Sequence, residues 1–198
     1  MSTSGLAAAT GAQPRRERLP SSPVLPPAVV GMALLLFTEV MFFCGLISAY
    51  LVLRWRMTTW PPLGQPRLPA MVTMVNTIVL LASGQFAWDA YDGRRRATQA
   101  VRLDATRIAA ALGLVFLCIQ GYEWSRLIAH GITMQSGMFG SIFYTIVGAH
   151  ALHVAGGLVL LAVCAFGRVA TTTFRAARMY WIFVVALWPV IWALVYLW

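Results

Sequence analysis

The chain has no lysine, and its 198 residues include only six acidic residues, three histidines and three cysteines. Each shortage excludes something. With 11% charged residues against 60% hydrophobic ones, there is too little polar surface for a soluble domain of this size. The cysteines, Cys44, Cys118 and Cys164, form no CxxC and each lies inside an apolar run. Neither a disulfide framework nor a thiolate metal site is expected, and all three read as small buried apolar residues. No apolar core precedes Pro26, so a cleavable signal peptide of the usual form is not expected. The Ala, Ser, Thr, Pro and Arg composition of residues 1–26 reads as a disordered cytoplasmic tail.

What is present is arginine and long apolar runs. A formal charge of +9 invites a nucleic-acid reading, but the arginines sit between apolar segments, as loop charges of a multi-span membrane protein do. Five such segments lie at roughly 27–53, 70–91, 106–128, 138–166 and 178–198. At 1.5 Å per residue each can cross a hydrocarbon core of about 30 Å. The expected fold is therefore all-α: an integral membrane bundle of five transmembrane helices over residues 27–198, with nothing of helical length left for a soluble domain. With the N-terminus inside, eleven arginines fall on the inner side and four (Arg54, Arg56, Arg67 and Arg126) on the outer, which favours an N-in, C-out topology. Eight Trp and six Tyr, several near segment ends, fit interfacial anchoring. The loop 54–69, with Pro61, Pro62, Pro66 and Pro69, is expected to be irregular and stiff. No internal repeat is evident.

Polar side chains inside the segments carry whatever chemistry the chain has. Glu39 lies about twelve residues into the first segment, and a charged acid at such depth costs about 2.5–3.5 kcal/mol on insertion scales. It should be protonated, paired or beside water, facing the bundle. His150 is about as deep in the fourth segment, entering from the other side, with His153 one turn further. A Glu39–His150 hydrogen bond between the first and fourth helices is thus within reach. Gly148, Gly156 and Gly157 would allow close helix contact there. The GAHALHVAGG stretch (148–157) places both imidazoles on one helix face. A second group, Asn76, Gln120 and Glu123, lies at one depth in the outer half, where these side chains can satisfy one another or hold a polar lipid head group. Interhelical hydrogen bonding is the plainer reading.

A redox metal centre is not expected. Haem and copper sites need several imidazoles, and this chain has three histidines, no CxxCH haem-attachment motif, and an HxxH pair that converges poorly without a third ligand. A small transporter or proton channel would be expected to carry repeats, broken helices or a continuous polar path, and none is visible. No nucleophile–base set marks an autonomous enzyme. The histidines read as hydrogen-bonding glue, with a proton-related role open.

Taken in order, FTEVMFFCGLISAYLVLR (37–54), NTIVLLASG (76–84), QGYEWSRL (120–127), FYTIVGAHALHVAGG (143–157) and YWIFVVALW (180–188) resemble subunit III of the haem–copper oxidases in its short five-helix bacterial form. The resemblance covers about residues 27–198. It implies a non-catalytic subunit of a cytochrome c oxidase in the bacterial inner (plasma) membrane, within aerobic respiration. It implies no cofactor in this chain, with haem and copper in the partner subunits. Its partners would be subunit I (the main contact), subunit II and bound phospholipid, with no nucleic acid. The implied role is to stabilise subunit I and support proton uptake. Glu39 would be the family's intramembrane carboxylate, while His150, His153 and Glu123 match helix-packing and lipid-contact positions. On helix five the family's WHFVDVVW reads WIFVVALW, so Ile182 and Val185 replace a His and an Asp and a polar contact is missing. Quinol-oxidase members often carry Asp at the Glu39 position, so Glu39 points toward a cytochrome c oxidase. Relatives attached to quinol oxidases or nitric oxide reductases are the alternative.

Overall fold

A computed structural model describes residues 26–57, 70–90, 98–167 and 169–197. Residues 1–25 of the expected tail (1–26), residues 58–69 of the expected loop (54–69) and the arginines at 94–96 lie outside these residues, while Arg54 and Arg56, expected in that loop, belong to the last turn of α1. The described residues form five long helices and no strands: α1 (Pro27–Arg56), α2 (Ala70–Asp89), α3 (Gln99–Ala129), α4 (Met138–Phe166) and α5 (Thr171–Trp192), the last running into a π-helical turn over Ala193–Leu197. All five are long and apolar enough to cross a membrane. Two start earlier than hydropathy suggests. The Thr98 hydroxyl caps α3 by accepting from the Val101 N–H (3.4 Å), so the helix opens with a polar turn that holds an exposed Asp104–Arg107 ion pair (3.2 Å). The α5 helix gains its first turn from the threonines at 171–173.

Helix ends follow local chemistry. Past the end of α3, Gly131 takes φ +85°; its N–H bonds to the Ile128 carbonyl and the Ile132 N–H to the Leu127 carbonyl. That double closure needs a left-handed residue, which glycine supplies without a Cβ clash. A turn of four residues later, Gly137 (φ +116°) starts α4.

Residue pairs across the bundle fix its topology. Ser83 meets Ala109 and Asn76 meets Phe116, so α2 and α3 are antiparallel. Trp181, Trp188 and Trp192 meet Ser83, Thr77 and Thr73, so α5 also runs against α2. Glu39 meets His153, setting α1 against α4. The chain therefore goes up and down five times.

The bundle buries a set of polar side chains within an otherwise apolar core, and its outer surface is apolar as well. Leu34, Phe37, Met41, Val75, Ile78, Leu114, Leu152 and Val159 face outward, while Thr73, Asn76, Thr77, Ser83, Gln120, Glu123 and His150 are buried. In hydrocarbon an apolar side chain gains little by leaving the lipid, so helices are joined by close packing and by hydrogen bonds that have no better partner outside. Two of the cysteines obey the same rule: Cys44 and Cys118 are exposed and only Cys164 is buried, which corrects the sequence expectation. A small apolar residue is as well accommodated by acyl chains as by a core.

The core is organised around three indoles of α5. Trp181 Nε1 donates to Ser83 Oγ (3.0 Å), Trp188 Nε1 to Thr77 Oγ1 (2.8 Å) and Trp192 Nε1 to Thr73 Oγ1 (3.2 Å). Spacings of seven and four residues keep these rings on one helical face. Each hydroxyl donates onward to a carbonyl: Ser83 to Ala109 on α3 (2.7 Å), Thr77 to Thr73 (2.7 Å) and Thr73 to Ala70 (3.1 Å). Trp181 is fully buried between two glycines. A Cβ at Gly113 of α3 or at Gly157 of α4 would lie 2.6 Å from its ring. Gly84 of α2 similarly admits Val185, whose Cγ1 would stand 2.8 Å from an added Cβ. Of the three glycines expected to bring α4 close to a neighbour, only Gly157 does so tightly; Gly148 faces open space and Gly156 is in ordinary contact with the Tyr180 hydroxyl. Trp55 and Trp88 are exposed near helix ends, whereas Trp181 and Trp188 are buried, their N–H groups bonded to hydroxyls in the core.

Candidate functional site

The α1 helix is the least embedded element, with only Phe43 and Tyr50 buried. The Tyr50 hydroxyl donates to the Leu194 carbonyl (3.0 Å), a backbone group in the π-helical turn. At mid-length α1 presents Glu39, and its Oε2 lies 2.9 Å from His153 Nε2. The contact expected with His150 is thus made by His153. A three-residue step rotates a helical side chain by about 60°, and that rotation separates the two imidazoles: His153 turns to α1 while His150 turns into the core.

The Glu39–His153 pair lies where α1 meets α4, beside Tyr180 of α5. The two side chains remain 22% and 17% exposed, enough to touch what lies outside the bundle. Phe43 meets the imidazole edge-on at 5.0 Å, Phe42 stacks near it at 6.2 Å, and the Tyr180 ring of α5 runs parallel to it at 6.5 Å. Phe42 and Phe43 stand three and four residues after Glu39, so one helical face supplies the carboxylate and its aromatic flank. The second ring nitrogen is engaged too: His153 Nδ1 lies 2.7 Å from the Ala149 carbonyl one turn back. Sequence reasoning missed Tyr180, which reads as one more aromatic in an apolar run.

His150 is 1% exposed, its ring stacked on Trp188 at 4.9 Å with Phe116 edge-on at 6.5 Å. Neither of its nitrogens has a hydrogen-bond partner within the protein. Asn76, Gln120 and Glu123 are also buried, and each reaches a different partner. Asn76 Nδ2 donates to the Phe116 carbonyl (3.0 Å), Gln120 Nε2 to the Tyr196 hydroxyl (3.1 Å), and Glu123 Oε1 lies 3.6 Å from Arg126 Nη1. They do not bond to one another: Asn76 reaches the α3 backbone, Gln120 the π-helical turn after α5, and Glu123 an arginine one turn on along its own helix. Tyr196 was not foreseen, because only the π-helical turn after Pro189 brings it onto Gln120. Substituting Asn76 by leucine is expected to lower stability by about 1–2 kcal/mol, read as an earlier unfolding midpoint in detergent, because the Phe116 carbonyl loses its α2 partner.

At Ile182 and Val185, helix five makes apolar packing contacts. Val185 is buried against Gly84, and Ile182 is half-buried against the core. The polar part of the α2–α5 joint is the three indole–hydroxyl bonds. Among the described residues no group of three or more His, Cys, Asp or Glu side chains is placed to hold a metal ion.

Comparison with known proteins agrees with the geometry. The family profile described as cytochrome c oxidase subunit III matches residues 22–198. A cytochrome c oxidase subunit 3 of Synechocystis sp. is 35% identical over 175 residues, covering 84% of this chain and 74% of that protein. The subunit 3 proteins of Lemur catta and Damaliscus lunatus are 33% and 34% identical over 181 residues, each covering 85% of this chain, and the chain spans 65% and 68% of their lengths.

Proposed function

This chain belongs to the cytochrome c oxidase subunit III family, and we propose that it serves as the accessory subunit of a terminal oxidase, packing against subunit I, alongside subunit II, in a bacterial plasma membrane with its N-terminus inside. On this reading it contributes no redox centre. It stabilises subunit I, holds phospholipid, and supports proton uptake by the catalytic subunit, which reduces oxygen with electrons from cytochrome c.

The observation that carries the reading is the Glu39–His153 pair, a polar contact at mid-length on the element least covered by the rest of the chain. A group that served only internal packing would gain by full burial, as Gln120 and His150 have it. Glu39 and His153 are instead left where a lipid chain or a partner helix can reach them. The apolar outer face of α1, with Leu34, Phe37, Met41 and Phe42, suits acyl chains or another membrane helix and offers nothing to water.

The test uses Glu39→Ala and His153→Ala in the assembled oxidase. Haem content is expected to stay normal, while the number of turnovers completed before activity dies falls severalfold. Unchanged turnover lifetime in both variants would overturn the reading. His150→Ala is not equivalent: removing a buried ring stacked on Trp188 should weaken the bundle itself.

A further inference from the structure

Three buried side chains on three different helices carry polar atoms that find no partner among the described residues. They are both ring nitrogens of His150 on α4, Oδ1 of Asn76 on α2 and Oε1 of Gln120 on α3. The residues are 1%, 1% and 2% exposed, so neither bulk water nor a lipid head group reaches them. A backbone carbonyl only accepts, so the nitrogen of Asn76 faces Phe116 (3.0 Å) and its oxygen is the atom left over. One pair of rings gathers all three residues. Phe116 and Trp188 meet edge to face at 5.1 Å. His150 stacks on Trp188 at 4.9 Å and meets Phe116 at 6.5 Å. Asn76 holds the Phe116 carbonyl, and Gln120 stands one turn beyond Phe116 on the same face of α3. Tyr196, 6.4 Å from Trp188, receives the Gln120 Nε2 bond and keeps its own O–H to give.

We propose that His150, Asn76 and Gln120 form an internal water site beside the Phe116–Trp188 pair, in which bound water joins α2, α3 and α4. The chemistry of the atoms selects the ligand. The amide oxygens accept only, while a neutral imidazole offers one N–H and one lone pair. The ligand must therefore donate and accept at once. It must be small, because the atoms are enclosed, and uncharged, because Phe116, Trp188 and the two amides bring no formal charge. Water meets all three conditions; an acyl chain can neither donate nor accept. A water that donates to the amide oxygens and accepts from the imidazole N–H has about three bonds, the usual number for buried water. The second ring nitrogen accepts from a further water, to which the Tyr196 O–H can donate. Buried polar atoms left unmade are costly, and more so where lipid surrounds the bundle. This goes beyond the accessory-subunit reading, since it concerns the interior of this chain and not its service to another.

The test is an electron cryo-microscopy map of the chain within its assembled complex, at a resolution that shows ordered water elsewhere in the protein interior. Solvent density is expected within hydrogen-bond distance of a His150 nitrogen and of Asn76 Oδ1 or Gln120 Oε1. In His150→Phe the ring still stacks on Trp188 but offers no polar atom, and the density beside residue 150 should be lost. If that variant does not assemble, the wild-type map decides alone. Wild-type density that is absent, or that belongs to a lipid or detergent chain, overturns the proposal, as does density unchanged in His150→Phe. No turnover enters the readout, so failure here is distinct from failure of the turnover experiment.

Discussion

Replacing Trp181 by alanine is expected to destabilise the chain by about 3–5 kcal/mol. The ring is fully buried and touches three helices: its N–H bonds to Ser83 of α2, and its faces fill the notches left by Gly113 of α3 and Gly157 of α4. In lipid this loss is one of dispersion contact and of a hydrogen bond with no replacement, not of water exclusion. Ser83 keeps its bond to the Ala109 carbonyl, so the α2–α3 contact should outlast the α5 joint. The measurement is the unfolding midpoint in detergent, with Trp181→Phe as a comparison. Phenylalanine retains most of the ring contact and forfeits the N–H bond, worth about 0.6–2 kcal/mol. A midpoint for Trp181→Ala within error of the wild type would mean that the wedge is not what joins α5 to its neighbours.

The second large effect comes from the other side of that wedge. Gly113→Ala places a Cβ 2.6 Å from Trp181 Cη2 and Cζ2 and 3.0 Å from Leu158 Cδ2. Neither indole atom is the end of a flexible chain, so the ring or a helix must move, at a cost of about 1–3 kcal/mol for overpacking. Gly157→Ala should behave alike, since its Cβ would meet Trp181 Cε3 at 2.6 Å. By contrast Gly45, Gly121 and Gly148 face open space, and alanine there should be tolerated or slightly stabilising in a helix interior. The clash also predicts coupling. In the double variant Gly113→Ala with Trp181→Phe, the smaller ring relieves the contact, and the combined loss should fall short of the sum of the single losses. Strict additivity would show that the two residues do not meet.

Much of this was legible in the residues themselves. The number and placing of the helices follow from runs of apolar residues long enough for a bilayer, a property that depends on composition and length alone. Glu39 and the two histidines stood out because charge in such runs is costly wherever the chain folds. The indole ladder of Trp181, Trp188 and Trp192 was not read from the sequence, where the tryptophans suggested interfacial anchors, because only α2 supplies the hydroxyls that give their spacing meaning.

The choice of partner could not be read this way. Depth along a helix places Glu39 beside both histidines, and only the angle at which α1 meets α4 selects His153 over His150. Likewise Asn76, Gln120 and Glu123 share a level but not a direction, and the π-helical turn decides that Tyr196 meets Gln120. Val185, which in sequence marks a lost polar contact, became a tight fit to Gly84 once α2 lay against it. The sequence by itself determined that the chain is a five-helix membrane protein, because hydropathy is local and additive. The tertiary structure alone decided which polar groups meet, because a hydrogen bond depends on a few ångströms and tens of degrees that helix rotation and crossing set.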